Sequence, residues 1–64
     1  MKRVDLLRAI REEGCVLSRH GGNHDVYRNV ITGVSEPVPR HREIPERLAN
    51  HIIKRLSAPT PPES

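Results

Sequence analysis

The 64-residue sequence predicts one α+β domain in the order helix, strand, strand, strand, helix, with both helices on one face of a three-stranded antiparallel sheet. Three observations carry that prediction. Segments with helical apolar spacing stand near both ends of the chain, the stretch between them alternates with period two, and glycine-bearing turns cut that stretch into three pieces. Packing both apolar stripes on the same side is the simplest way to bury them, and it leaves the other sheet face open to solvent or a partner.

The first helix spans roughly residues 2–13. Val4, Leu6, Leu7, Ala9 and Ile10 form its apolar stripe, while Arg3, Arg8, Arg11 and Glu12 fall largely elsewhere. Gly14 stands where a helix ends in a left-handed residue. "CVLSR", from Cys15 to Arg19, alternates and reads as the first strand. "HGGN" is a turn signal, because Gly21 and Gly22 reach positive φ at little cost. "HDVYRNV" is the second strand, with Val26, Tyr27 and Val30 as its apolar content. Thr32 and Gly33 mark the next turn, and "VSEPV" is a third strand that Pro37 and Pro39 confine to an edge, since neither can donate to a ladder. From Ile44 the helical period returns. Ile44, Leu48, Ile52 and Leu56 recur every four residues, Ala49 and Ile53 widen the stripe, and Pro45 suits a first turn, where no N–H is missed. The domain thus covers residues 1–56, and "SAPTPPES" (57–64) is a Pro-rich tail expected to be disordered.

Eleven Lys+Arg against eight Asp+Glu give a formal charge of +3 and a pI of about 9.8. That balance suits a polyanion, nucleic acid first. Nearly all the cations are arginine, the bidentate phosphate binder. A lone Cys15 excludes an intramolecular disulfide and a cysteine zinc cluster, and fits a reducing cytoplasm. The N-terminal stretch lacks the apolar run of a signal peptide or membrane span, so the expected location is cytoplasmic, without membrane contact. No dinucleotide, P-loop, nucleophile-elbow or HExxH pattern occurs. A domain this small buries only about 60% of its unfolded surface, so any active site is shallow and lies on one face.

Histidine is the remaining chemical resource, at positions 20, 24, 41 and 51. His24 opens the second strand directly after the Gly-Gly-Asn turn, where a side chain projects without crowding. An imidazole is the side chain suited to proton transfer near neutral pH, and Arg19 and Arg28 are placed to hold a phosphate beside it. RNA scission by internal transesterification needs such a set: a base for the 2′-OH and cations for the pentacoordinate phosphate. On spacing alone a lone turn histidine is usually polar surface. His41, between Arg40 and Arg42 in the loop before the second helix, is a candidate second proton-transfer group, a phosphate contact or part of a solvated basic loop. His20 reads as a turn residue, and His51 flanks the second helix's stripe. His20 and His24 straddle a turn and Asp25 points to the opposite strand face from His24, so no metal or cofactor is expected. Tyr27 is the only aromatic residue, which removes the stacking platforms of single-strand binders. RNA contact therefore rests on Arg19, Arg28, Arg40 and Arg42 along a phosphate backbone. A non-catalytic RNA-binding module using those arginines is the alternative to an enzyme, and a pure interaction protein is a third reading.

The opening helix followed by "EEGCVLSR", then "GGNHDVY", then "VPRHREIPERLANHIIKRL" covers Lys2 to Leu56. In that order and spacing the chain resembles the HicA family of bacterial toxins, the mRNA interferases of HicAB toxin–antitoxin pairs. The resemblance implies an α-β-β-β-α fold similar to double-stranded-RNA-binding domains, and a metal-independent endoribonuclease that cleaves mRNA and inhibits translation and growth. It implies His24 as the catalytic histidine, Gly22 and Asn23 as the residues shaping its turn, and His41 as a second recurring histidine. It also implies a HicB-type antitoxin covering the catalytic face, within a hetero-oligomer that binds operator DNA only through the antitoxin. The chain departs from the family in carrying Asn23 where serine is usual and Cys15 where an aromatic residue is common. Asn23 can still hold a turn through local hydrogen bonds.

Overall fold

The structure, a computed structural model, describes residues 1–57; of the predicted Pro-rich tail, all but Ser57 lies outside the described residues. The elements are α1 (Arg3–Glu12), β1 (Cys15–His20), β2 (His24–Asn29), β3 (Ser35–Pro39) and α2 (Glu46–Leu56). The three strands form one antiparallel sheet in the order β1-β2-β3. This is the α+β order of the double-stranded-RNA-binding domain, as the sequence predicts.

α1 buries Leu6, Leu7 and Ile10 and ends at Gly14, whose φ of 98° only glycine adopts cheaply. The helix stripe is narrower than its apolar content suggested, for Val4 is 58% exposed. In α2 the buried residues are Ala49, Ile52 and Leu56. Ile44 is fully buried, but ahead of the helix. The N–H of Ile44 donates to the Met1 carbonyl at 2.8 Å, so its backbone stays extended and α2 starts only at Glu46, with Pro45 as N-cap. Residues 42–44 are thereby fastened to the start of α1: Lys2 bridges Glu43, and the Arg3 N–H donates to the Arg42 carbonyl at 2.8 Å. That tether fixes the loop carrying His41.

β3 lies at a sheet edge, where Pro37 and Pro39 face Val26 and His24 of β2. Of the apolar content of β2, only Tyr27 is buried. Asp25, Tyr27 and Asn29 point into the core, Val26 is half-buried, and Val30 is 56% exposed. Tyr27 sets the parity, and period two carries Asp25 and Asn29 inward with it. Asn29, fully buried, meets that cost with four hydrogen bonds. Its Nδ2 donates to the carbonyls of Glu13 (3.0 Å) and Leu56 (2.6 Å), and its Oδ1 accepts from the N–H groups of Ile31 (2.8 Å) and Thr32 (3.2 Å). One side chain joins the ends of both helices to the turn after β2.

Candidate active site

His24 lies exposed at the start of β2. Its cross-strand partner is Pro39 of β3, and two residues beyond Pro39 on the same side comes His41. Both histidines line one open cleft of ≈ 290 Å³, together with Asn23, Pro37, Pro39 and Leu48. Leu48, assigned to the core stripe by sequence, is 37% exposed and forms part of this wall instead. The two histidines that stood 17 positions apart in sequence thus share a site.

The arginines divide by register. A bulge between Leu17 and Arg19 inserts one residue into β1, so Arg19 pairs with Val26 and His20 with Asp25. Without the extra residue Arg19 would fall on the core face with Cys15 and Leu17; with it, Arg19 joins His24 on the open face. Arg28 shares that face but pairs with Val16 and Ser35, four residues along the strand from His24, about 13 Å at strand rise. Its guanidinium lies near Gly33, at the far end of the sheet. Arg42 is exposed.

Arg40 has an intramolecular task. Its Nε donates to Asp25 Oδ1 at 2.9 Å, its Nη1 to the Gly22 carbonyl at 3.1 Å and its Nη2 to the Gly21 carbonyl at 2.8 Å. The guanidinium therefore grips the turn that presents His24. On the other side, Arg3 Nη2 donates to Asp25 Oδ2 at 2.9 Å and Arg3 Nε to the Pro39 carbonyl at 2.8 Å. His20 Nδ1 sits 2.8 Å from Asp25 Oδ1. Asp25 is 7% exposed, and the hydrogen bonds from Arg40 and then His20 hold its carboxyl down at about 2 against the opposing pull of burial. His20 is therefore more than a turn residue: it is the third partner of this carboxylate. Strand parity already set Asp25 on the face opposite His24; what sequence reading missed is that Arg3, His20 and Arg40 converge on it from three other parts of the chain.

The turn itself differs from the predicted glycine chemistry. Neither Gly21 nor Gly22 has a positive φ. Gly21 is required for another reason: its N–H donates to the His24 carbonyl at 2.7 Å, and a Cβ there would come within 2.8 Å of that oxygen. At Gly22 a Cβ would meet nothing within 4 Å. Asn23 is exposed, and its carbonyl accepts a long 3.4 Å bond from the Arg40 N–H. Cys15, buried under the sheet, donates to the Leu56 carbonyl at 3.4 Å, and burial pushes its thiol pKa up, so it offers no thiolate. Among the described residues no group of three His, Cys, Asp or Glu side chains could hold a metal ion.

A cationic dsRBD-like α+β fold with two histidines lining one open cleft defines the class: a small basic α+β domain. The family model described as "HicA toxin of bacterial toxin-antitoxin" matches residues 4–57. The chain belongs to that family, and is a toxin component of a toxin–antitoxin system. Neither a curated protein nor a solved structure matches it. No helix among the described residues is long and apolar enough to cross a membrane.

Proposed function

We propose that this toxin is a metal-independent endoribonuclease that cleaves mRNA by histidine-assisted transesterification, and so inhibits translation and growth in the cytoplasm. The observation that carries the reading is the single open cleft shared by His24 and His41. His24, as base, takes the proton of a 2′-OH; the 2′-oxygen bonds to phosphorus; the P–O5′ bond breaks; and the departing 5′-oxygen takes a proton from the imidazolium of His41. The products are a 2′,3′-cyclic phosphate and a 5′-OH end, with no water or metal consumed. Arg19, on the same sheet face, supports charge at the pentacoordinate phosphate. Arg42 and Arg28 are the further cations available to the strand, while Arg40 acts by holding the turn. A HicB-type antitoxin covers the face bearing His24, in a hetero-oligomer that reaches operator DNA through the antitoxin.

The test is RNA cleavage, with and without EDTA, by the wild type, His24→Ala and His41→Ala, alongside growth after induction. The wild type is expected to cut in EDTA, His24→Ala to lose both cleavage and growth arrest, and His41→Ala to slow by about 10²- to 10⁴-fold, the usual worth of a proton-transfer group. Cleavage by His24→Ala at the wild-type rate overturns the mechanism. Wild-type protein that binds RNA and leaves it intact would instead make the chain a non-catalytic RNA-binding module.

A further inference from the structure

We infer that the substrate strand leaves the histidine cleft across the Arg40–His41–Arg42 ridge and lays a neighbouring phosphate in a second, cationic cleft, where Lys2 and Arg42 receive it. The inference rests on the ribonuclease reading and adds the path of the RNA to it. The histidine cleft shares Asn23 and His41 with a saddle lined by Gly22, Asn23, Arg40 and His41. The saddle shares Arg40 with a larger cleft of ≈ 690 Å³ between the start of α1 and the segment before α2. The three clefts are thus neighbours in a row, each sharing lining residues with the next, from His24 at one end to Lys2 and Arg42 at the other.

The charges along this row sort by their partners. Arg3 and Arg40 are held by Asp25, and Glu43 lies 3.2 Å from the Met1 ammonium group. Lys2 and Arg42 are exposed, and neither takes part in an ion pair among the described residues. The far cleft therefore offers two unneutralised cations over a wall that includes Val4 and Leu7. It contains no aromatic side chain on which a base could stack, so recognition there falls on phosphate and is independent of sequence. Lys2 was not singled out by sequence. It is brought beside Arg42 by the pairing of residues 1–3 with 42–44.

The test uses the full chain and a fluorescein-labelled single-stranded 2′-O-methyl RNA, which lacks the attacking hydroxyl and is not cut. Binding is followed by anisotropy against NaCl concentration for the wild type, the double variant Lys2→Gln/Arg42→Gln and the control Arg11→Gln, with circular dichroism to verify folding. Arg11 lies in the last turn of α1 and lines none of the three clefts. Each phosphate contact on a single strand contributes about 0.7 to the slope of log K against log salt. The double variant should therefore be several-fold weaker at low salt, with a slope shallower by about 1.4, and Arg11→Gln should follow the wild type. An unchanged slope in the double variant overturns the path, as does an equal loss in Arg11→Gln, which would mean net charge alone, or a wild type without salt-dependent binding. Because the probe cannot be cut, these outcomes are independent of whether His24→Ala abolishes cleavage.

Discussion

A Cβ on Gly21 would lie 2.8 Å from the His24 carbonyl oxygen, a backbone atom that cannot swing aside, whereas at Gly22 it would meet nothing within 4 Å. The steric demand of the turn therefore falls on Gly21, although the sequence pattern draws attention to Gly22. Gly21→Ala is expected to force the His24 backbone to shift, slowing cleavage and lowering thermal stability. A cost of about 1 kcal/mol corresponds to roughly 4–8 °C in a domain of this size. Gly22→Ala should leave both properties little changed, and a Gly22→Ala variant as damaged as Gly21→Ala would refute the assignment. Other residues of the site were legible to different degrees. That His24 and His41 line one cleft follows from the pairing of His24 with Pro39, which brings the segment after β3 alongside the start of β2. Arg40 looked like a free phosphate binder, because nothing in "VPRHREIP" reveals that its fork closes on two glycine carbonyls and Asp25.

At the scale of elements, order and count were legible because periodicity and turn residues report them directly. The faces were harder. Of the apolar residues Val26, Tyr27 and Val30 only Tyr27 is buried, and the strand buries the polar Asp25 and Asn29 with it. Both polar residues are affordable there only because other elements deliver their partners, and that information is absent from the strand's own sequence. The bulge after Leu17 is equally silent in sequence, yet it turns Arg19 to the open face and His20 to Asp25. Asn29 gives this level its prediction. Asn29→Ala would remove a donor from the Glu13 carbonyl and the acceptor of the Ile31 and Thr32 N–H groups, and leave the Leu56 carbonyl only the weak 3.4 Å bond from the Cys15 thiol. Each unsatisfied buried group costs about 1–3 kcal/mol, a large share of the stability open to so small a domain. Urea titration should show at least 2 kcal/mol lost, about two such groups. A loss under about 0.5 kcal/mol, within the range of ordinary surface substitutions, would mean that the side chain does not tie the helix ends together.

The whole molecule is held across its histidine-bearing end by one carboxylate. Asp25 on β2 receives Arg3 from α1, His20 from β1 and Arg40 from the segment before α2, so four parts of the chain meet at a single titrating group. Its carboxyl sits at about 2 in the folded state, against about 3.9 for an unfolded aspartate. The unfolded chain therefore binds this proton first as the pH falls. It follows that Asp25 contributes its full stabilisation above about pH 4 and loses it progressively as the pH falls towards 2. The variant Asp25→Asn separates this effect from that of the other carboxylates. At neutral pH it should be the less stable protein, since Arg3 and Arg40 then face an amide that can donate as well as accept. Below about pH 4 the unfolded chain takes up this proton while the folded side chain stays charged until about pH 2, so the gap between the two urea midpoints should narrow steadily towards pH 2. A gap that stays constant from pH 7 to pH 2 would show that Asp25 acts by shape alone. A gap that closes in this window would tie the rigidity of the His24 turn, through Arg40, to the charge on Asp25.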